Sequence, residues 1–124
     1  MNLVDSGGWL EFFADGPNAK YFAEPLLQPK ELIVPSITIF EVFKVVLRER
    51  DEDSALQAIA LMRQGRVIDL SDSIAIYAAK LSQELKLPMA DSIILATAQL
   101  EQSVLWTQDD HFKDLPGVKY FSAR

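Results

Sequence analysis

The chain has 124 residues, a net charge of −6 and 49% hydrophobic residues. This length and composition predict one globular domain, residues 1–124, and exclude a disordered or fibrous protein. The negative charge argues against nucleic-acid binding through a broad basic face, and the absence of Cys together with a single His excludes disulfide frameworks and the usual zinc sites.

The first half of the chain alternates short apolar runs with segments of helical character. Turn residues separate them, with Ser-Gly-Gly after the first run and Gly65 after the last helix. Asn18 and Ser36 stand where helix N-caps are expected. The predicted elements are, in order, a strand at residues 3–4, helices at residues 9–14 and 19–27, a strand at residues 32–34, and helices at residues 37–50 and 51–64.

The second half continues the same alternation, and Ser71 is expected to cap its first helix. The predicted elements are a strand at residues 66–70, a helix from Ser71 to residue 85, a helix at residues 91–102, a strand at residues 104–106, a turn or short helix at residues 110–115, and an edge strand at residues 118–121. Strands that alternate with helices predict an α/β fold with a mainly parallel sheet of about five strands and helices on both faces.

The sequence contains no sign of a membrane segment. No apolar run approaches the roughly 20 residues of a membrane span. The first residues lack the basic and apolar regions of a signal peptide. We therefore expect a cytoplasmic protein without membrane contacts.

Two acids directly follow predicted strands. Asp5 follows the first strand, and Asp109 follows the strand at residues 104–106. Ligands of open α/β sheets bind outside the carboxyl ends of the strands, so two carboxylates converge there if these strands are near neighbours. Ser6 and Thr107 flank the acids with hydroxyls that could orient the carboxylates or contact a metal-bound water. The alternative is that both acids are ordinary turn residues.

Glu41 lies in a helical stretch that is apolar on most sides, which predicts a helix buried on several faces. A buried carboxylate needs a partner, which is either Lys44, three residues on, or a metal ion. Lys44 and Arg48 share the helix face of Glu41. This arrangement suits a phosphodiester, with the acid holding a cation and the bases guiding the backbone, although a solvated helix edge has the same pattern.

Three further residues have more than one interpretation. Asp91 opens an apolar helix, where it is either an N-cap or a ligand aimed out of the core. Asp110 neighbours Asp109 and could replace it. We predict that His111 is a surface loop residue with a structural or incidental role rather than a general base.

The residues thus offer four acids for one site, although the sequence leaves open whether they meet. Clustered carboxylates without Cys or His select hard cations with oxygen ligands, Mg²⁺ or Mn²⁺. Such a cation supports phosphoryl transfer or phosphodiester hydrolysis. The four acids are Asp5, Glu41, Asp91 and Asp109.

Four short motifs appear in a particular order along nearly the whole chain. They are Val4-Asp5-Ser6, Val34-Pro35-Ser36 followed by Glu41-Val42, the run Ala-Asp-Ser-Ile-Ile-Leu-Ala-Thr-Ala at residues 90–98, and Thr107-x-Asp109-x-x-Phe112. In this order and spacing the chain resembles PIN-domain ribonucleases of the VapC toxin type.

The resemblance implies a fold, an activity and partners. The fold is a three-layer α/β/α sandwich with a central parallel sheet. The activity is Mg²⁺- or Mn²⁺-dependent RNA cleavage by an activated water, with Asp5 and Asp91 bridging the principal metal, Glu41 assisting and Asp109 nearer a second site. Lys44 and Arg48 are expected to line the RNA groove. The partners are transfer or ribosomal RNA, a small antitoxin that inserts a basic residue into the acidic groove, and a second copy of the chain in a homodimer.

Two alternative functions remain at this point. One is a non-catalytic PIN-like module that binds RNA. The other is a receiver-like signalling domain with a Mg²⁺ pocket, for which Asp69 is the nearest candidate phosphoacceptor. A receiver also requires a Lys after a late strand, and Lys113 and Lys119 stand in poor positions for that role.

Overall fold

Five parallel strands form the centre of the computed structural model, which describes residues 1–123. The strands lie in the order β3-β2-β1-β4-β5, and each pairs in parallel with its neighbour. The prediction of an α/β fold with a parallel sheet of about five strands is therefore confirmed. The strands are β1 (Asn2–Val4), β2 (Leu32–Pro35), β3 (Arg66–Ile68), β4 (Val104–Thr107) and β5 (Val118–Tyr120).

Helices cover both faces of this sheet. They are α1 (Ser6–Phe13), α2 (Ala19–Leu26), α3 (Ser36–Glu49), α4 (Glu52–Met62), α5 (Asp72–Leu85) and α6 (Met89–Leu100). Successive strand residues point to opposite faces, so Leu3 joins a hydrophobic cluster with α5 and α6. Val4 joins the cluster formed by α1, α2, α3 and α4 on the other face. The layers are those of an α/β/α sandwich.

Helix α1 begins at Ser6, three residues earlier than predicted. The carboxylate of Asp5 caps it by accepting a hydrogen bond from the Gly8 backbone N–H at 2.8 Å. The glycine allows α1 to lie against β1, because a Cβ at Gly8 would come within 2.5 Å of Val4 Cγ1. The prediction of a turn at residues 6–8 was wrong, since the cap starts a helix there.

Two other predicted caps differ from the structure. Asn18 occupies the N-cap position of α2, but its side chain donates to Gln108 Oε1 at 2.9 Å and to the Ser122 carbonyl at 2.8 Å. Ser36 is the first helical residue of α3, and Pro35 stands at the N-cap. Asn18 therefore joins the start of α2 to the loop after β4 and to the C-terminal segment.

Helix α3 is covered on most of its sides and has one exposed stripe. Thr38, Val42 and Val46 form its buried stripe, whereas Phe40 is 63% exposed and Leu47 is 45% exposed. Other apolar residues of α3, among them Ile37 and Phe43, are partly buried against the two hydrophobic clusters, so only one stripe of the helix faces outward.

The longest described helices, α3 and α5, have 14 residues each. A membrane span needs about 20 consecutive apolar residues. Among residues 1–123, no helix has both the length and the apolar character to cross a membrane.

Candidate active site

Parallel pairing of β1 with β4 places Asp5 beside Thr107. Val4 is in register with Trp106, and the Asp5 backbone N–H donates to the Trp106 carbonyl at 3.2 Å. The chain leaves β1 toward β2 and β3 on one side and returns to β4 and β5 on the other. Residues at the carboxyl ends of β1 and β4 therefore lie at a topological switch point, the usual place for a ligand in such a sheet.

The Asp5 carboxylate is held through both of its oxygens. Oδ1 accepts from the Gly8 backbone N–H at 2.8 Å, and Oδ2 accepts from the Thr107 hydroxyl at 2.5 Å. The side chain is almost fully buried, and this burial raises the pKa of Asp5 to about 7, although the two hydrogen bonds oppose the rise. The nearby carboxylates of Asp91 and Asp109 add a smaller upward shift to this pKa.

Glu41 reaches the same place from α3. Its Oε1 accepts a hydrogen bond from the Ser6 hydroxyl at 2.5 Å, which joins the first turn of α1 to α3. The predicted alternative partner, Lys44, places its ammonium 5.7 Å from the centre of the Phe40 ring. The hydroxyl of Ser6, the residue next to Asp5, thus orients the Glu41 carboxylate.

Asp91 and Asp109 approach each other across one imidazole. His111 Nδ1 lies 2.8 Å from Asp91 Oδ2 and 3.3 Å from Asp109 Oδ1. Partial burial raises the pKa of Asp91, with the His111 hydrogen bond opposing and the Asp109 charge reinforcing the rise. The hydrogen bond to Asp91, together with the Asp109 charge, raises the pKa of His111. Pro88 is the N-cap of α6, so Asp91 lies in the first turn instead of capping the helix.

All four predicted acids line a single pocket of about 180 Å³. They come from the ends of β1 and β4 and from helices α3 and α6. The complete lining consists of Asp5, Ser6, Gly7, Glu41, Asp91, Ile94, Gln108 and Asp109.

The donor atoms at this pocket fit a divalent cation. Asp91, Asp109 and His111 each offer one ligand atom, and these atoms lie within 4.8 Å of one another. The charges of neighbouring acids also help to raise the pKa values of Asp5 and Asp91, a repulsion that a bound cation relieves. Carboxylate oxygens are the ligands that Mg²⁺ and Mn²⁺ accept, and such ions assist reactions at phosphate groups.

Comparison with known proteins agrees with this geometry. A family model for the PIN domain matches residues 3–118. The chain belongs to the PIN domain family. No curated protein sequence matches this PIN domain significantly.

Solved structures similar to this PIN domain include a toxin and toxin–antitoxin complexes. A toxin–antitoxin complex from Klebsiella pneumoniae has a chain with 31% identity and a TM-score of 0.81, and the match covers 96% of each chain. A DNA-bound VapBC complex from Salmonella typhimurium has 16% identity, a TM-score of 0.75 and full coverage of both chains. A sarcin-ricin loop cleaving VapC toxin from Mycobacterium tuberculosis has 14% identity and a TM-score of 0.74, covering 90% of this chain and 92% of the toxin. The predicted resemblance to VapC-type PIN domains is confirmed.

Several predicted site residues lie outside the acidic pocket of the PIN domain. Lys44 and Arg48 are absent from its lining, and Arg48 forms an exposed ion pair with Glu49 at 3.5 Å. Asp110 accepts a hydrogen bond from the Tyr120 hydroxyl at 2.5 Å, which leaves Asp109 as the acid that lines the pocket. Asp69 follows β3, an edge strand, and is not a lining residue, which argues against a receiver-like domain.

His111, predicted to be a surface loop residue with a structural or incidental role, contacts two of the acids. Its backbone N–H donates to Asp109 Oδ1 at 2.9 Å, and this turn brings the ring over Asp91. An Asp that accepts from the backbone two residues later is a common local motif. That spacing between Asp109 and His111 was the available signal.

A larger groove of about 980 Å³ adjoins the acidic pocket. Gly7 and Gln108 line both, so the two are adjacent. Its walls come from α1, α3 and α4 and combine apolar side chains with the carboxylates of Glu11 and Glu49. The other lining residues are Leu10, Phe13, Ala14, Val45, Val46, Arg50, Ser54, Gln57 and Ala58.

Proposed function

We propose that this PIN domain, a single domain over residues 1–124, is a metal-dependent endoribonuclease and the toxin of a type II toxin–antitoxin pair. The convergence of four carboxylates from four elements in one pocket carries the proposal. The 31% identical chain in the Klebsiella toxin–antitoxin complex supports the biological role. The proposed reaction is hydrolysis of an RNA phosphodiester by water, in the cytoplasm.

The four acids have different roles in the proposed site. Asp5, Asp91 and Asp109 would hold the cation, and Glu41 would orient the water or the cation from the opposite side. Ser6 and Thr107 support this arrangement, because their hydroxyls fix the carboxylates of Glu41 and Asp5. When bound, Mg²⁺ or Mn²⁺ supplies Lewis-acid activation of water and neutralises charge on the phosphate.

RNA reaches a chain of net charge −6 through local contacts rather than through a basic face. We place Lys44 and Arg48, outside the acidic pocket, along the path of the RNA backbone. Transfer or ribosomal RNA is the proposed substrate class. The Mycobacterium relative, a toxin that cleaves the sarcin-ricin loop, supports this choice.

The large groove suits the proposed antitoxin. Its apolar walls favour an amphipathic segment, and Glu11 and Glu49 favour basic side chains on that segment. Because Gly7 and Gln108 line both cavities, one basic residue of that segment would lie close to the acids. An amphipathic peptide with a central Arg should inhibit cleavage, and Glu49→Lys should weaken that inhibition; equal inhibition of both forms would contradict this placement.

The exposed apolar side chains of α3 support a homodimer. Phe40 and Leu47 are two of the large hydrophobic side chains that are exposed to solvent. Light scattering of the purified chain is expected to give twice the 13.9 kDa mass, and Phe40→Glu should return it to one copy. A single-copy mass for the unaltered chain would contradict the dimer.

The decisive test is cleavage of pooled cellular RNA by purified, antitoxin-free protein. We expect cutting with Mn²⁺ or Mg²⁺, none with EDTA, and a loss of at least about 100-fold in Asp5→Asn and in Asp91→Asn. Asp110→Asn is the matched control, because Asp110 lies outside the pocket lining, and it should keep its activity.

Each other outcome has a separate meaning. Unchanged cleavage in Asp5→Asn and Asp91→Asn would overturn the proposed mechanism. Metal-dependent RNA binding without cleavage would favour the non-catalytic RNA-binding module. Loss of activity in Asp110→Asn alone would move the fourth acid from Asp109 to its neighbour.

A further inference from the structure

Three donor atoms, from Asp91 and Asp109 of the acidic pocket and from His111 beside it, lie close together. His111 Nδ1 lies 2.8 Å from Asp91 Oδ2 and 3.3 Å from Asp109 Oδ1. An imidazole nitrogen carries at most one hydrogen, so it cannot donate fully to both carboxylates. This convergence of three atoms fits a set of metal ligands as well as it fits a single hydrogen bond.

The spacing of these atoms also suits octahedral coordination. Adjacent ligands of an ion with bonds of 2.0–2.1 Å lie about 3.0 Å apart. The two distances from His111 Nδ1, 2.8 and 3.3 Å, bracket that value. The two His111 distances therefore fit such a site, and all three ligand atoms lie within 4.8 Å of one another.

The chain holds the His111 backbone in place while the ring stays accessible. Its N–H donates to Asp109 Oδ1 at 2.9 Å, and the Asp109 N–H donates to Thr107 Oγ1 at 2.9 Å. The next residue, Phe112, is fully buried in the core. The His111 side chain is nevertheless 54% exposed, so a cation and its water ligands can reach the ring.

We propose that His111 Nδ1 is a metal ligand beside Asp91 and Asp109, and that it makes the site select Mn²⁺ over Mg²⁺. The inference rests on the proposed nuclease function and adds a nitrogen donor to an otherwise all-carboxylate site. Mg²⁺ prefers oxygen ligands, whereas Mn²⁺, as a first-row transition ion, accepts an imidazole nitrogen more readily, although it binds such a donor less tightly than the later ions of the series do. The other acids of the pocket, Asp5 and Glu41, keep their positions in this arrangement.

The single His makes a direct test possible. Electron spin echo envelope modulation of one equivalent of Mn²⁺ on the untagged protein, in a buffer without imidazole, reports a bound imidazole nitrogen. We expect nitrogen modulation in the unaltered chain and its loss in His111→Asn. Asparagine keeps an amide hydrogen-bond donor near the Nδ1 position but removes the imidazole.

Calorimetric titration provides the selectivity readout. His111→Asn is expected to weaken Mn²⁺ binding about tenfold and Mg²⁺ binding less than about threefold. Lys113→Asn, the same replacement at an exposed position two residues away, is the control and should behave as the unaltered chain.

The results separate this inference from the proposed function. RNA cleavage in Mn²⁺ with no nitrogen modulation, or equal loss of affinity for both cations in His111→Asn, would overturn the ligand role and leave the nuclease intact. In that case His111 only positions Asp91 and Asp109 through hydrogen bonds. Failure of the unaltered chain to bind Mn²⁺ and to cleave RNA would overturn both.

Discussion

At the scale of single residues, Asp5 is subject to two opposing effects, since its hydrogen bonds favour the ionised carboxylate and its burial disfavours it. It caps α1 through the Gly8 N–H and receives the Thr107 hydroxyl, so its position is fixed by both strands and helix. The same burial raises its pKa to about 7. A carboxylate that is fixed in position and has a strongly shifted pKa is typical of a functional site, where such a group lowers the stability of the fold but serves the reaction.

The first prediction concerns the pH dependence of stability in EDTA. The unfolded chain ionises Asp5 near pH 3.8 and the folded chain only near pH 7, so the folded state holds more protons between these values. The unfolding free energy should therefore fall as pH rises from about 4 to 7, by up to roughly 4 kcal/mol. Denaturant unfolding at pH 4.5 and pH 8 measures it.

Asp5→Asn isolates this contribution, because Asn lacks the titration and keeps an acceptor for the Gly8 N–H. The variant should lose most of the decline, leaving the smaller parts from Asp91 and His111, whose raised pKa values act in the same direction. Parallel curves for the two proteins would show that Asp5 ionises normally in the fold.

A second prediction compares adjacent glycines of α1. A Cβ at Gly8 would meet Val4 Cγ1 at 2.5 Å and Phe22 ring carbons at 2.9 Å, whereas one at Gly7 would meet only Asp5 Oδ1 at 3.8 Å. Gly8→Ala should destabilise by about 1–3 kcal/mol through overpacking. Gly7→Ala, in open space on a helix, should be neutral or stabilising by up to about 1 kcal/mol. Thermal and denaturant unfolding of both variants test the contrast, which equal effects would refute.

At the scale of elements, the end of α5 has a backbone strain that a substitution can relieve. Lys86 is its C-cap and adopts φ 56°, the left-handed conformation that favours glycine. Lys86→Gly should therefore stabilise the protein by about 0.5–1 kcal/mol. Denaturant midpoints provide the measurement.

The matched control lies in the same helix. Lys80 is exposed in the interior of α5, where glycine costs about 1 kcal/mol relative to good helix formers. Lys80→Gly should thus destabilise while Lys86→Gly stabilises. The same sign for both variants would count against a strained cap.

At the scale of the whole molecule, the chain has a net charge of −6, and the fold concentrates four of its acids in one pocket. Helix α3 follows β2, and α6 precedes β4. Both helices contribute an acid at the end of the sheet where β1 and β4 finish. The four acids repel one another there, and a cation converts this repulsion into binding energy.

A cation should therefore raise the melting temperature. At one hundred times its dissociation constant a ligand adds about 2.7 kcal/mol, which corresponds to roughly 10 °C for a chain of this size. A thermal scan with Mn²⁺ should show this rise in the unaltered chain and in Asp110→Asn, and little of it in Asp91→Asn. No rise at millimolar Mn²⁺ would argue against a preformed site.

The sequence by itself determined the succession of strands and helices along the chain, and it predicted the four acids that line one pocket of the structure. Apolar runs of three or four residues bounded by turn and cap residues report burial locally, so the α/β class follows from them. Short-range patterns also placed Asp5 and Asp109 at strand ends. They misplaced the start of α1, because its Asp5 cap also serves the site and its glycines suit a turn equally well.

Only the tertiary structure decided which residues share a pocket. The separation between Asp5 and Thr107 along the chain is 102 residues, and only the pairing of β1 with β4 makes them neighbours. The packing of α6 beside the segment after β4 brings His111 to Asp91, and the packing of α3 leaves Lys44 and Arg48 outside the pocket lining. Periodicity describes which face of an element is apolar, but contacts between distant elements depend on strand order and on the direction in which each helix packs.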